Sequence, residues 1–111
     1  MIATDVPLTS KQCERVARRA GLGLARIGSV GHHGSGEIFF ACSTTARVDR
    51  FATEPFIDTS HLADHSIDAV FEAAVDATEA AVVDALFQAE TVTGREGRTI
   101  DAWPAESISG A

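Results

Sequence analysis

Residues 9–28, TSKQCERVARRAGLGLARIG, read as a helix between two short apolar segments, and this order decides the fold. Thr9 and Gln12 have the spacing of a capping box, in which the two side chains satisfy backbone groups at a helix start. Gly28 is the expected end of the helix. One helical face is apolar and consists of Cys13, Val16, Ala17, Ala20, Leu24 and Ile27.

The opposite face of this helix is basic. It carries five of the chain's nine positive charges, namely Lys11, Arg15, Arg18, Arg19 and Arg26. We interpret it as a solvated face with a Glu14–Arg18 ion pair, because exposed charges at helical spacing usually interact with water and with each other. Gly21 and Gly23 each cost a helix about 1 kcal/mol relative to alanine, so we expect them to permit close packing.

Extended segments are predicted on both sides of the helix. Residues 1–6 begin with apolar residues and are stopped by Pro7. A glycine-rich segment, residues 28–36, follows the helix and leads into residues 37–44, EIFFACST, which we expect to be a strand buried on both faces. Residues 45–65 are predicted to be a loop.

A second, longer helix is predicted over residues 66–91. Its apolar stripe consists of Ile67, Val70, Phe71, Ala74, Thr78, Ala81, Ala85 and Ala89. The other side carries Asp68, Glu72, Asp76 and Glu79. We interpret this acidic side as solvated, with the less favoured alternative that it lies beside the basic face of the first helix. Gly94 is expected to cap the helix, residues 99–103 to form a last strand, and residues 105–111 to fray.

This order predicts an α/β (α+β) fold with two long helices on a few strands. Two or three strands leave unpaired edges, so residues 1–111 are expected to be a single partial domain that belongs to a larger sheet.

Composition excludes several function classes. The net charge of −7 argues against nucleic-acid and anionic-membrane partners, which require clustered positive charge. No apolar run approaches 18 residues, so no membrane span is predicted, and the start MIATDVPL lacks the features of a secretory signal. Cys13 and Cys42 lack metal or redox spacing and are expected to be buried thiols, which favours a cytoplasmic location.

The stretch HHGSGEIFF, residues 32–40, concentrates the reactive groups. A phosphate cradle or a nucleophile elbow is disfavoured, because both need the loop to enter a helix and this loop enters a strand. A metal site is also disfavoured, since adjacent histidines rarely bind one ion; its candidate ligands are His32, His33, His61, His65, Glu37 and Cys42. In an extended chain, Ser35 and Glu37 point to the same side, which allows a supporting catalytic pair. The simpler alternative is a turn serine followed by an exposed strand end.

Three segments together resemble one known family. They are ATDVPL (residues 3–8), RRAGLGLARIGSVGHHGSGEIFFACST (residues 18–44) and FEAAVDATEAAVVDALFQAETVTGREGRTIDAWP (residues 71–104). They are similar to the C-terminal, smaller-subunit portion of the L-aminopeptidase D-amidase/D-esterase (DmpA-like) family, which includes β-peptidyl aminopeptidases. Members are N-terminal serine nucleophile hydrolases with a four-layered αββα fold, formed by a precursor that cuts itself before a serine.

The resemblance implies roles for the loop residues. Ser35 corresponds to the serine that hydrogen-bonds the nucleophile, and Glu37 to the carboxylate that polarises Ser35 and orients the charged amine. Gly34 and Gly36 belong to the same active-site loop. No cofactor and no metal are implied.

The resemblance also implies what this chain needs for activity. The nucleophilic serine is expected upstream of Met1, so the 111-residue chain alone is expected to be an inactive portion of a self-processing aminopeptidase. The implied partners are the larger subunit of the same precursor, other copies in a homo-oligomer of heterodimers, and a small peptide, amide or ester substrate. The alternative is a catalytically silent remnant that acts as a small α/β binding or assembly module.

Overall fold

The computed structural model describes residues 1–104, and the expected fraying of residues 105–111 lies outside them. Two helices and four short strands follow one another in the order β1 (Ile2–Thr4), α1 (Ser10–Arg26), β2 (Ala41–Ser43), α2 (Asp68–Gln88), β3 (Val92–Thr93) and β4 (Thr99–Ile100). Short 3₁₀ turns lie at Asp64–Ser66 and Arg95–Gly97. The predicted α/β class, with two long helices on a few strands, is confirmed.

The predicted capping box opens helix α1. The Gln12 amide donates to the Thr9 hydroxyl at 3.3 Å, and the Thr9 amide donates to the Gln12 side-chain oxygen at 2.9 Å. The Gln12 side chain is buried, and its Nε2 also donates to the Leu62 carbonyl and to Asp64. The helix start therefore also fixes the end of the long loop that precedes α2.

Strands β1 and β2 pair in parallel, and α1 is the crossover between them. Ile2 lies opposite Ala41, and the Ile2 amide donates to the Phe40 carbonyl at 2.8 Å. The predicted strand over residues 37–44, buried on both faces, is wrong in its extent and burial, because residues 37–40 are exposed. They lie before the first residue of β1 in the register, and in residues 1–104 this sheet has only two strands.

The two helices pack closely where Gly23 faces α2. A Cβ atom at residue 23 would lie 2.7 Å from both the Thr78 Cβ and the Val75 carbonyl oxygen, which confirms the expected close approach. The hydrophobic core of the described residues is small and consists of Leu8, Val16, Ala17, Ala41, Ile67, Phe71 and Ala74.

Charged side chains join the helices, so the prediction of two solvated faces is wrong in part. The Arg19 guanidinium stacks on the Phe71 ring, with 3.7 Å between its Cζ and the ring centre, and Arg26 pairs with both Asp76 and Glu79. The less favoured alternative, that acidic and basic faces meet, holds at Arg26. The predicted Glu14–Arg18 pair is confirmed.

Helix α2 ends at Gln88, three residues before its predicted end. Its apolar stripe is buried only in the first half, and Ala81, Ala85 and Ala89 are exposed. The reason is geometric: α1 ends at Arg26, which contacts α2 at Asp76 and Glu79, and the later turns extend beyond it.

The segment after α2 is a hairpin, which the sequence pattern did not predict. Ala89 caps α2, so the expected cap at Gly94 is wrong; the Gly94 amide instead donates to the Arg98 carbonyl across the hairpin at 2.8 Å. Glu96 and Gly97 both have positive φ, 62° and 74°, as in a type I′ turn. The predicted strand over residues 99–103 is therefore limited to Thr99–Ile100.

Candidate active site

Ser35 and Glu37 lie on an exposed segment, residues 31–40, that leads from α1 into β2. The segment turns where the Ser35 amide donates to the His32 carbonyl at 2.7 Å. A Cβ at Gly34 or Gly36 would have no neighbour within 4 Å, so packing within residues 1–104 does not require glycine there. The two predicted active-site glycines thus leave open space around the Ser35 backbone.

The structure brings the two predicted catalytic side chains together. A hydrogen bond from the Ser35 side chain, with a smaller contribution from the Glu37 backbone amide, holds the pKa of the Glu37 carboxyl below its usual range. The carboxylate is therefore ionised at neutral pH and accepts the Ser35 hydroxyl. This geometry suits a polarised serine, while the catalytic role of both residues stays a prediction.

Glu37 also borders an apolar groove next to the start of β1. The groove is lined by Met1, Ile2, Ala3, Ala20, Leu24, Glu37, Ile38, Phe39, Ala77, Thr78, Ala81 and Val82. Its walls come from both long helices and from the first residues of β1, and Glu37 supplies its carboxylate. Such an arrangement can hold a ligand that has one cationic group on an apolar body.

The proximity of β1 to the loop was not predicted, although the sequence contains a signal for it. Two strands joined by one helical crossover run in parallel, so both begin at the same edge of the sheet. The sequence order strand, helix, strand could therefore have placed residues 1–3 beside residues 40–42, directly after the loop residues 37–39.

The other chemistries considered for this loop receive no geometric support. A phosphate cradle needs a loop that leads into the start of a helix, whereas this loop connects α1 to the strand β2. Within residues 1–104, no three histidine, cysteine, aspartate or glutamate side chains converge as metal ligands. Over the same residues, no helix is long and apolar enough to cross a membrane.

Comparisons with known proteins agree on one family. The model of peptidase family S58 matches residues 1–100. The β-peptidyl aminopeptidase BapA of Sphingosinicella microcystinivorans is 38% identical over 104 residues, which are 94% of this chain and 26% of that protein.

Two solved structures have the same architecture over nearly the whole chain. The PH0078 protein of Pyrococcus horikoshii OT3 is 40% identical with a TM-score of 0.88, and the match covers 97% of this chain and 31% of that one. The L-aminopeptidase D-Ala-esterase/amidase of Ochrobactrum anthropi, a prototype serine aminopeptidase with a variant Ntn hydrolase fold, is 39% identical with a TM-score of 0.83. That match covers 96% of this chain and 31% of the Ochrobactrum chain. The chain thus spans between a quarter and a third of the length of these relatives, and it belongs to peptidase family S58.

Proposed function

We propose that this chain supplies the serine–carboxylate pair of a self-processing serine aminopeptidase, and that the rest of an S58 enzyme supplies the nucleophile. The chain covers 26% of the BapA relative and 31% of the solved neighbours, which supports a division of the active site between this chain and a larger portion. Residues 1–111 then form one partial domain of the complete enzyme.

The observation that carries this proposal is the parallel pairing beside Glu37. Ile2 lies opposite Ala41, and the Ile2 amide bonds the Phe40 carbonyl. Continued backwards in the same register, a longer β1 would bring the third to fifth residues before Met1 opposite residues 37, 36 and 35. A serine in that short stretch would lie within reach of the Ser35–Glu37 pair.

The proposed reaction is acyl transfer from a peptide, amide or ester to that upstream serine. Its oxygen attacks the substrate carbonyl, and its own α-amino group accepts the proton, since an α-amino group titrates near pH 8. The amine or alcohol departs with a proton, and water then hydrolyses the acyl-enzyme ester. Ser35, polarised by Glu37, hydrogen-bonds the nucleophile, while the Glu37 carboxylate attracts the positively charged amino group of the substrate.

The proposal also sets the partners and the location. The larger portion of the same precursor is the first partner, and the complete enzyme is a homo-oligomer of such pairs acting on small peptides or amides. Cys13 and Cys42 are free thiols, which supports a reducing, cytoplasmic compartment. The 111-residue chain alone is expected to be inactive.

The test is to express the complete S58 enzyme that contains this chain and to measure both self-cleavage and hydrolysis of aminoacyl p-nitroanilides. Self-cleavage should yield a fragment whose mass shows serine as its first residue. Ser35→Ala and Glu37→Gln should each lower kcat by about 100-fold, the scale on which positioned proton-transfer and hydrogen-bonding groups contribute. Ser60→Ala and Glu54→Gln change the same residue types at exposed loop positions and should leave kcat unchanged.

Two results would overturn the proposal. One is wild-type kcat in both Ser35→Ala and Glu37→Gln, which would remove the pair from the reaction. The other is a folded, uncleaved and inactive complete protein, which would favour a silent binding or assembly module.

A further inference from the structure

Phe39 holds the segment that carries Ser35 and Glu37 against helix α1. Its ring lies beside Gly21: the ring atoms Cε2 and Cζ are 3.6 and 3.7 Å from the position that a Cβ at residue 21 would take. Phe39 is 37% exposed, whereas its neighbours Ile38 and Phe40 are 92% and 57% exposed. The ring is therefore more buried than the side chains on either side of it, and it contacts α1 beside Gly21.

The pattern of exposure shows which side chains share a face. It alternates from Ile38 through Phe39 and Phe40 to Ala41, which is 9% exposed, as in an extended chain with every second residue turned inward. In an extended chain Glu37 lies on the same face as Phe39, and both line the same groove. The ring of Phe39 thus lies on the face of the segment that carries Glu37, the carboxylate of the candidate pair.

The backbone alone does not fix this face. The hydrogen bond from the Ile2 amide to the Phe40 carbonyl is the last one that joins the segment to β1, so within residues 1–104 no strand partner opposes rotation of residues 37–39 about the segment axis. The Phe39 ring restricts that rotation, because it fits where Gly21 has no side chain. Phe39 also lines both the groove that contains Glu37 and a second groove that contains Cys13 and Ala17, so it forms the wall between them.

We infer that Phe39, seated against Gly21, is the positioning residue that sets the orientation of the Ser35–Glu37 pair. The inference rests on the proposed function, since orientation matters to turnover only if the pair takes part in the reaction. Residue 21 must then stay small, since a large side chain would take the place of the ring, whereas Gly23 is required for contact between the two helices.

The experiment compares four variants with one control. Gly21→Leu places a large side chain in the space that the Phe39 ring occupies. Gly21→Ala adds a Cβ at ordinary contact distance, 3.6 Å from the ring. Phe39→Ala removes the ring, and Phe39→Leu keeps an apolar side chain. Ala25→Leu enlarges an exposed position of the same helix and is the matched control.

Two measurements are made on each variant. In the complete S58 enzyme, kcat and KM are measured together with the fraction of folded protein. In the 111-residue chain, hydrogen exchange is followed at the backbone amides of residues 34–40. Gly21→Leu and Phe39→Ala should lower kcat per folded enzyme by about 10- to 100-fold, as expected when catalytic groups are misplaced by about 1 Å, and should speed exchange. Gly21→Ala and Ala25→Leu should stay within about threefold of wild type, well inside that misplacement loss, and Phe39→Leu should lose less kcat than Phe39→Ala.

The outcomes separate this inference from the proposed function. If Ser35→Ala and Glu37→Gln abolish turnover while Phe39→Ala and Gly21→Leu leave kcat and exchange unchanged, the positioning role is wrong and the proposed function stands. If Phe39→Ala speeds exchange but Ser35→Ala retains full turnover, the proposed function is wrong. If Gly21→Leu does not fold, the Phe39→Ala and Phe39→Leu pair decides the question.

Discussion

At the scale of single residues, the candidate site depends on one polar interaction, between Ser35 and Glu37. Ser35 and Glu37 are exposed, so neither is held in place by burial. The Ser35 hydroxyl donates to the Glu37 carboxylate, and this hydrogen bond lowers the pKa of that carboxyl. A serine polarised in this way is a useful hydrogen-bond partner for a nucleophile but needs another group as the base.

The Ser35 contact predicts the titration of Glu37. Ser35→Ala removes the largest cause of the lowered pKa, so the pKa of Glu37 should rise toward its ordinary value. Because the folded-state pKa is depressed, the pair stabilises the fold above the unfolded-state pKa, and this contribution is lost as pH falls through the folded-state pKa. The measurement is a carbon-13 NMR titration of the Glu37 carboxyl.

A serine elsewhere in the chain serves as the control for that titration. Ser60→Ala should leave the Glu37 titration unchanged, because Ser60 lies in the exposed loop after β2. An identical Glu37 titration curve in wild type and Ser35→Ala would show that the two side chains do not interact.

At the scale of the elements, the two glycines of α1 have different neighbours and predict opposite effects of alanine. At residue 23, a Cβ would lie 2.7 Å from the Val75 carbonyl oxygen, a backbone atom that cannot move aside, and overpacking typically costs about 1–3 kcal/mol. Gly23→Ala should therefore lower the free energy of unfolding by up to about 2 kcal/mol, after a helix-propensity gain of about 1 kcal/mol is subtracted. Gly21→Ala fits its site and should raise stability by up to about 1 kcal/mol.

Urea unfolding of the two variants, followed by circular dichroism at 222 nm, measures this difference. The pair is its own control, because both substitutions add one methyl group to the same helix two residues apart. Equal effects of the two substitutions would mean that Gly23 does not contact α2 in solution.

The elements also show what the sequence could predict. Helix α1 was predictable to within a residue, because the Thr9–Gln12 capping box and the apolar spacing are local signals. The hairpin was missed because its signal is only the Glu96–Gly97 pair between two-residue strands. The Arg26 pairing with Asp76 and Glu79 depends on how two helices dock, which no local spacing encodes.

The same distinction applies to the candidate site. That Ser35 and Glu37 lie close together follows from their spacing of two along an extended chain. The contact between the Phe39 ring and Gly21 does not follow from local spacing. These residues are 18 positions apart in sequence and meet only after α1 packs on the sheet. The closeness of Ser35 and Glu37 was therefore predictable from the sequence, whereas the Phe39–Gly21 contact that holds their segment against α1 was not.

At the scale of the whole molecule, the chain is expanded for its length. Its radius of gyration is 19.0 Å, whereas a compact domain of this size has about 13 Å. The last part of α2 is apolar yet exposed, with Val83, Leu86 and Phe87 at 38%, 41% and 50%. A helix that is apolar on all sides is typical of the interior of a larger protein, so this end of α2 is a candidate contact with the rest of the S58 enzyme.

This surface gives the last prediction, made by comparing the 111-residue chain with the same chain in the complete enzyme. Backbone amides of residues 81–88 should exchange rapidly in the isolated chain and become protected in the complete enzyme, and fluorescence of the dye ANS should fall. Phe87→Gln should weaken association with the larger portion by about tenfold or more, because burying a phenylalanine contributes about 1.5–3 kcal/mol. Asp84→Asn changes an exposed residue of the same helix and should have no effect on association. Equal protection of residues 81–88 in the isolated chain and in the complete enzyme would contradict the prediction, since α2 would then be stable without a partner.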